Sequence, residues 1–214
     1  MDESILTDEQ LLFERGGDFD EPTFLRVLGE AIGALDAENI PFVLMGGIAS
    51  TAMGRPRFTH DIDAFIRPTD GTAALDALDR RGFATQQTYP DWLFKGLKDG
   101  VLVDLIFRSK GDIYLDDEML ERARIEEFLG QKIPVISPED LVVIKALVHD
   151  EHMPRHWHDA LAIIGDVELD WDYLLRRGQR GARRVLSLLV YAQSNDLIVP
   201  ASVISQLYDK IYET

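Results

Sequence analysis

The chain has 214 residues, of which 46% are hydrophobic, enough for a mid-sized folded domain with a buried core. Its formal net charge of −16 would repel a polyanion at long range, which argues against nonspecific coating of nucleic acid. The sequence has no cysteine, so thiol nucleophiles, thiolate metal sites and disulfides are excluded.

The first segment, residues 1–20, is acidic and shows no convincing periodicity, so we expect a loosely ordered leader. It lacks the basic and then apolar layout of a signal peptide. No apolar run approaches the ~20 residues that a membrane-spanning helix needs. We therefore expect a cytoplasmic protein with no membrane partner.

Residues 21–136 are predicted to form an α/β (α+β) core, a mixed sheet flanked by helices. The segment "PTFLRVLGEAIGALDAENI" has a helical apolar stripe, and "PFVLM" is typical of a buried strand. "GGIASTAMG" predicts a turn into a short helix. "DIDAFI" then alternates as a strand, with Asp61 and Asp63 on one face.

The second part of this core contains two predicted hairpins. "TDGTAALDALDRRG" favours a helix, and "WLFKGLKDGVLVDLIFR" a hairpin around "KDG". A short helix and another hairpin, around "LGQ", follow. Ser137 has the position of a helix N-cap, and from it residues 137–214 are predicted to be a helical C-terminal part.

Three carboxylates suggest a metal site. Asp61 and Asp63 project side by side from one strand face and would repel each other without a counter-ion. Asp104 lies among the six apolar residues of "VLVDLIF", and burying an unpaired Asp costs several kcal/mol. A hard cation such as Mg²⁺ would resolve both problems. The alternative is that Asp61 and Asp63 line a solvated strand face, which leaves Asp104 unexplained.

Gly46 and Gly47 follow the first predicted strand, where glycines let backbone amides approach a phosphate. Ser50 could add a hydroxyl donor. The spacing matches neither a Walker loop nor a dinucleotide fingerprint. Taken alone, the pair would be a plain strand-to-helix turn; with the acids behind it, we favour a phosphate site.

Together these motifs resemble the nucleotidyltransferase superfamily over about residues 40–165. The shared features are "MGG", a gap of thirteen residues, "DID" between apolar residues, and a third acid, Asp104, in a later strand. "RPRFTHDID" is similar to the Arg-x-Thr-x-Asp-Ile-Asp form of small bacterial members, which implies roles for Arg57 and Thr59. "ISPEDLVVIKAL" resembles the helix after their catalytic sheet and implies a role for Lys145.

The resemblance implies transfer of a nucleoside monophosphate from an NTP to a hydroxyl, with two Mg²⁺ ions. Asp61 and Asp63 would hold one ion against the triphosphate, and all three acids a second ion near the attacking hydroxyl. Gly46, Gly47 and Ser50 would cradle the leaving phosphates. Arg57 or Lys145 would neutralise developing charge, although Arg57 could be a surface residue and Lys145 could extend to solvent.

The next helix of small members often carries a Lys-Asp-x-x-Asp-like run, and the match here is "RHWHD". Asp159 is retained, and His156 stands where a carboxylate is frequent. Four of the five histidines fall within His149–His158, where a zinc hydrolase site is conceivable, although surface or pocket histidines are the more usual interpretation.

The segment Arg176–Arg184, "RRGQRGARR", is a dense basic run in an acidic chain. It could be a solvated helix end, or it could bind a tRNA or a substrate anion. The hydroxyl acceptor is left open between a small molecule such as an antibiotic, a tRNA end and a protein side chain. A homodimer or an antitoxin partner is compatible with the resemblance. A catalytically silent binding protein of the same fold is the alternative function.

Overall fold

The computed structural model describes residues 8–55 and 57–212, with side chains described from residue 12 onward. Of the predicted leader, residues 1–7 lie outside the described part. Asp8–Arg15 form helix α1, and Phe13 on it is buried.

The chain alternates helices and strands up to residue 135 and is helical from residue 138. The strands are β1 Phe42–Leu44, β2 Asp61–Ile66, β3 Ala84–Tyr89, β4 Leu93–Lys98, β5 Val101–Ile106, β6 Arg124–Phe128 and β7 Gln131–Val135. The helices after α1 are α2 Glu21–Ala37, α3 Gly46–Ala52, α4 Gly71–Arg80, α5 Asp117–Glu121, α6 Pro138–Val148, α7 Arg155–Asp166, α8 Trp171–Gly178, α9 Ala182–Ser194 and α10 Ala201–Tyr212.

The strands form one seven-stranded sheet in the order β3-β4-β5-β2-β1-β7-β6. Strand β2 runs parallel to β5, and β1 runs parallel to β7, whereas the other neighbours are antiparallel. The predicted mixed α/β class is therefore confirmed. The central strands β1, β2 and β5 are buried almost throughout, as their apolar sequences require.

Both predicted hairpins are confirmed. The first joins β4 and β5 through Asp99 and Gly100, whose φ angles of 47° and 82° are those of a two-residue turn that matches strand twist. The second joins β6 and β7 through Leu129 and Gly130. Strand β3 was not predicted from the sequence. Its residues, "ATQQTY", are mostly polar and exposed because β3 lies at the sheet edge.

Helix α6 links the sheet to the C-terminal helices. As predicted, Ser137 caps it, its Oγ accepting the Asp140 N–H at 3.1 Å. Helices α7, α8 and α9 pack against α6, which is why nearly every residue of α6 is buried. Within the described residues, no helix is both long enough and apolar enough to cross a membrane.

Candidate active site

The three predicted acids lie on two neighbouring strands. Asp63 on β2 is in direct register with Asp104 on β5, and Asp61 stands two residues before Asp63 on the same face. All three line one cavity of about 620 Å³. The parallel pairing of β2 and β5 thus brings together residues that are 41 to 43 positions apart in sequence.

The turn between β1 and α3 packs directly against this row. Gly46 has φ +61°, and a Cβ atom on it would lie 1.7 Å from Asp63 Oδ2. A Cβ atom on Gly47 would lie 2.3 Å from Thr59 Oγ1. Both glycines also line the cavity. Their lack of side chains therefore leaves room for the acid row and exposes backbone to the cavity.

Two predicted binding residues contact the chain itself. Thr59 Oγ1 donates to Asp61 Oδ1 at 2.8 Å, so it fixes the orientation of that carboxylate. Ser50 is fully buried, and its Oγ donates to the Gly46 carbonyl at 2.7 Å. Both hydroxyls thus position the acid row and the glycine turn from outside the cavity lining.

A cluster of cations is held together by Asp159. This carboxylate is completely buried on α7 and accepts from Lys145 Nζ at 2.7 Å and from Arg57 Nη2 at 3.3 Å. Arg55 is its third partner. Three cations around one carboxylate leave surplus positive charge, and Arg57 and Lys145 both line the cavity. Arg55 was not anticipated from the sequence.

The electrostatics of the acid row reflect burial and crowding. Burial, followed by the charges of Asp61 and Asp104, raises the pKa of Asp63 well above its usual value. Burial is also the main reason why the pKa of Asp104 is raised to about 6. Both carboxylates are therefore costly to ionise in the metal-free protein.

In the cationic cluster, the pKa of the carboxylate is lowered, unlike the raised pKa values in the acid row. Burial opposes ionisation of Asp159, but the charges of Lys145 and the arginines hold its pKa at about 2. Burial lowers the pKa of Lys145, and Asp159 partly restores it. The cavity lining therefore carries anionic side chains and a cationic wall, formed by Arg57 and Lys145, and the charges of Lys145 and Asp63 influence each other's pKa.

Lys95 is a basic residue beside the acid row that the sequence motifs did not reveal. It lies on β4 directly opposite Asp104, and its Nζ is 3.5 Å from Asp104 Oδ1. Only 8% of the residue is exposed. The pairing can be read from the sequence, because a two-residue turn at Asp99-Gly100 fixes which residues of the hairpin face each other.

The acid row has the donor chemistry that Mg²⁺ prefers. Carboxylate oxygens are its usual protein ligands, and within the described residues the buried Asp104 Oδ1 accepts no hydrogen bond, its nearest cation being Lys95 Nζ at 3.5 Å. Among residues 8–55 and 57–212, no three His, Asp or Glu side chains converge closely enough to form a ready-made metal cage. The acids therefore fit a cation by the chemistry of their oxygens, although their side chains are not gathered into a closed three-ligand cage.

The other walls of the cavity were not predicted from the sequence. Residues 108–112, after β5, line it together with Trp92 and Arg155. These residues lie in loops or at a helix start, where no motif marks them. His156 also faces the cavity, and burial lowers its pKa to about 4, so its ring is neutral near pH 7. His149 instead stacks on Trp157, with ring centroids 4.5 Å apart.

The basic run Arg176–Arg184 is largely used inside the molecule. Arg177 pairs with Asp116 at 2.6 Å and with Asp140 at 2.8 Å, and Arg176 pairs with Glu118 at 2.9 Å. Arg180 donates to the backbone carbonyl of Asp112, in the loop after β5, at 3.0 Å. These contacts attach α8 to the sheet-bearing part of the chain.

One comparison with known proteins identifies a family. The family model described as "Nucleotidyl transferase of unknown function (DUF2204)" matches residues 24–174. No curated protein matches the sequence.

Two solved structures share the fold with TM-scores of 0.50 or more. The antibiotic-resistance factor ANT(2'')-Ia in solution is 18% identical, with a TM-score of 0.53 over 83% of this chain and 95% of its own. The crystal structure of ANT(2'')-Ia with adenylyl-2''-tobramycin gives 18% identity and a TM-score of 0.50, over 81% of this chain and 99% of its own. The lincosamide antibiotic adenylyltransferase LnuA gives 15% identity and a TM-score of 0.49, over 71% and 100%.

The family match includes the glycine turn, the acid row and the cationic cluster. The predicted nucleotidyltransferase-like fold is confirmed by the family match and by the ANT(2'')-Ia structures. The chain belongs to the nucleotidyl transferase family.

Proposed function

We propose that this protein is a Mg²⁺-dependent enzyme that transfers a nucleoside monophosphate group from an NTP to a hydroxyl acceptor. The observation that carries the proposal is the register of Asp63 with Asp104 across β2 and β5, beside a glycine turn that only glycine fits. An acid row and a cationic wall share one cavity, which suits a substrate that brings both phosphates and a hydroxyl.

The acid row and the cationic wall would have different roles in the reaction. A divalent cation bound by Asp61 and Asp63 would neutralise triphosphate charge and favour ionisation of the acceptor hydroxyl. Arg57 and Lys145 would bind the β- and γ-phosphates and stabilise the charge that develops on the leaving pyrophosphate. Gly46 and Gly47 would offer backbone N–H groups to the same phosphates.

The transfer is a substitution at the α-phosphorus. The acceptor oxygen forms a bond to that phosphorus, and the bond from the α-phosphorus to the oxygen that bridges to the β-phosphate breaks, releasing pyrophosphate. In the proposed scheme Asp104 accepts the hydroxyl proton, a role supported by its position beside Asp63 in the cavity lining. Asp159 does not touch the acceptor in this scheme; it positions Arg57 and Lys145.

A small-molecule acceptor suits the surface better than a polyanion. The chain carries a net charge of −16, and three arginines of the basic run already have internal partners. A tRNA end and a protein side chain are therefore secondary candidates. Because tobramycin is named with the neighbour ANT(2'')-Ia, it is a reasonable first acceptor to test. A homodimer or an antitoxin partner stays a prediction from the family resemblance.

The test is transfer of label from α-labelled NTPs to tobramycin, a cell metabolite extract, bulk tRNA and protein. Asp63→Asn should abolish transfer, because an amide binds a hard cation poorly. Asp76→Asn, an exposed change on α4, is the matched control and should behave as wild type. Absence of transfer to every pool, together with absence of Mg²⁺·NTP binding by calorimetry, would favour the catalytically silent alternative.

A further inference from the structure

Lys95 is placed where the acid row would otherwise need another positive charge. Its partner Asp104 lies between it and Asp63, so that the three side chains form one row across β4, β5 and β2 on the same sheet face. The lysine is nearly enclosed, with 11% of its side chain exposed. Lys95 is therefore a buried part of the site and not a surface lysine.

The contact of Lys95 with Asp104 is an ion pair between two poorly hydrated groups. Nζ and Oδ1 are 3.5 Å apart, and burial makes an unpaired charge on either partner costly. Asp104 Oδ1 accepts no hydrogen bond within the described residues, so the Lys95 ammonium is the positive charge that it faces. The counter-charge of Asp104 is therefore already present in the protein before any ligand binds.

A second divalent cation at Asp104 would meet this ammonium group. The three acids together carry three negative charges when ionised, and Lys95 leaves two of them, which one divalent cation balances. Like charges a few ångströms apart in a partly buried site repel strongly. Binding of a second ion would require Lys95 to move or to lose its proton.

We propose that Lys95 replaces the second metal ion, so that the site binds one divalent cation through Asp61 and Asp63 while the Lys95 ammonium supplies the positive charge at Asp104. This inference rests on the proposed function and departs from the two Mg²⁺ ions that the family resemblance implies. It assigns Lys95 as a positioning residue, since it acts through Asp104.

The experiment counts bound Mn²⁺ by electron paramagnetic resonance, using the full chain with a non-hydrolysable NTP analogue. Wild type should bind one ion per chain. Lys95→Met should create a second site, at least about 10-fold tighter than any second binding to wild type. Lys95→Met combined with Asp104→Asn should return the count to one, because the third carboxylate is then gone. The double variant also removes the unpaired charge that could impair folding of the single one.

Lys98→Met is the matched control. Lys98 is on the same strand but on the other sheet face, where it pairs with Glu30, so its loss should leave the count at one. Two ions of similar affinity in wild type would overturn the inference, and so would a count of one in a folded Lys95→Met. Label transfer is measured on the same samples. An active wild type that binds two ions would overturn this inference alone. A wild type that shows no Mn²⁺ binding and no label transfer would overturn the proposed function as well.

Discussion

Gly46 and Asp63 approach each other so closely that a methyl group on Gly46 would lie 1.7 Å from Asp63 Oδ2. The glycine also has φ +61°, a conformation that residues with a Cβ adopt at a cost. The turn and the acid row therefore constrain each other, and the glycine turn is as much a part of the site as the carboxylates.

This contact predicts the effect of Gly46→Ala. The added methyl group should displace the Asp63 carboxylate and lower kcat/KM for label transfer by at least about 100-fold. Gly29→Ala is the control, because Gly29 lies in α2 with open space around it. That change should keep full activity and raise stability slightly, since alanine favours a helix. Wild-type kcat/KM in a folded Gly46→Ala protein would refute the proposed geometry.

The crowded acids predict that Asp63→Asn stabilises the metal-free protein. Burial and the charges of Asp61 and Asp104 make the ionised Asp63 unfavourable in the folded state. The amide has no charge to desolvate, so we expect a higher Tm for the variant in EDTA near pH 7. Mg²⁺ should raise the Tm of wild type and leave that of Asp63→Asn nearly unchanged. A lower Tm for the metal-free variant would contradict this electrostatic account.

The same comparison has a pH dependence with a defined sign. The folded-state pKa of Asp63 is raised, so its contribution to stability is fully present below the ordinary Asp pKa and is lost as pH rises through the folded value. The stability advantage of Asp63→Asn should therefore be small near pH 4 and grow toward pH 8. Taking the difference between the two proteins cancels the opposing contribution of His156, whose pKa is lowered to about 4. Urea unfolding in EDTA at several pH values measures this difference in the free energy of unfolding between Asp63→Asn and wild type.

Asp159→Asn should be strongly destabilising. The change leaves Lys145 buried without its counter-ion and removes a charged partner of Arg57, and breaking such a buried pair costs about 3–5 kcal/mol. In wild type this stabilisation should be present above about pH 4 and be lost as pH falls toward the folded pKa of about 2. Urea unfolding at pH 7 checks the loss, with the exposed Asp172→Asn as control. A loss below about 1 kcal/mol would exclude Asp159 as the anchor of the cluster.

Arg55 and Arg57 offer a matched test of phosphate binding. Both contact Asp159, but Arg57 lines the cavity and Arg55 is absent from its lining. Arg57→Met should therefore lower kcat/KM for the NTP by about 10–100-fold, whereas Arg55→Met should mainly reduce stability. Steady-state kinetics with varied NTP, beside thermal unfolding, separates the two effects. Equal kinetic losses in both variants would assign Arg57 a structural role only.

The sequence was sufficient to predict the acid row and the glycine turn because local patterns encode both. Alternation places Asp61 and Asp63 on one face, and an isolated Asp104 in an apolar strand implies a partner. The hairpin around Asp99-Gly100 also implies the pairing of Lys95 with Asp104, a consequence that follows from the turn length alone.

The family resemblance named Arg57, Lys145 and Asp159, but the contacts among them could not be derived from local patterns. Arg55 meets Asp159 across 104 residues, and this contact depends on how α7 packs against α3. No periodicity or motif specifies that packing. The edge strand β3 was missed because polar, exposed residues give little strand signal when hydrogen bonds to a single neighbour hold them.

The central claim, nucleotidyl transfer at this acid row, is tested most directly by comparing α-labelled and γ-labelled NTP with one acceptor in the presence of Mg²⁺. The account predicts that the α label moves to the acceptor, that the γ label is recovered in pyrophosphate, and that Asp63→Asn abolishes both. Transfer of the γ label without the α label, or full transfer by Asp63→Asn, would contradict it.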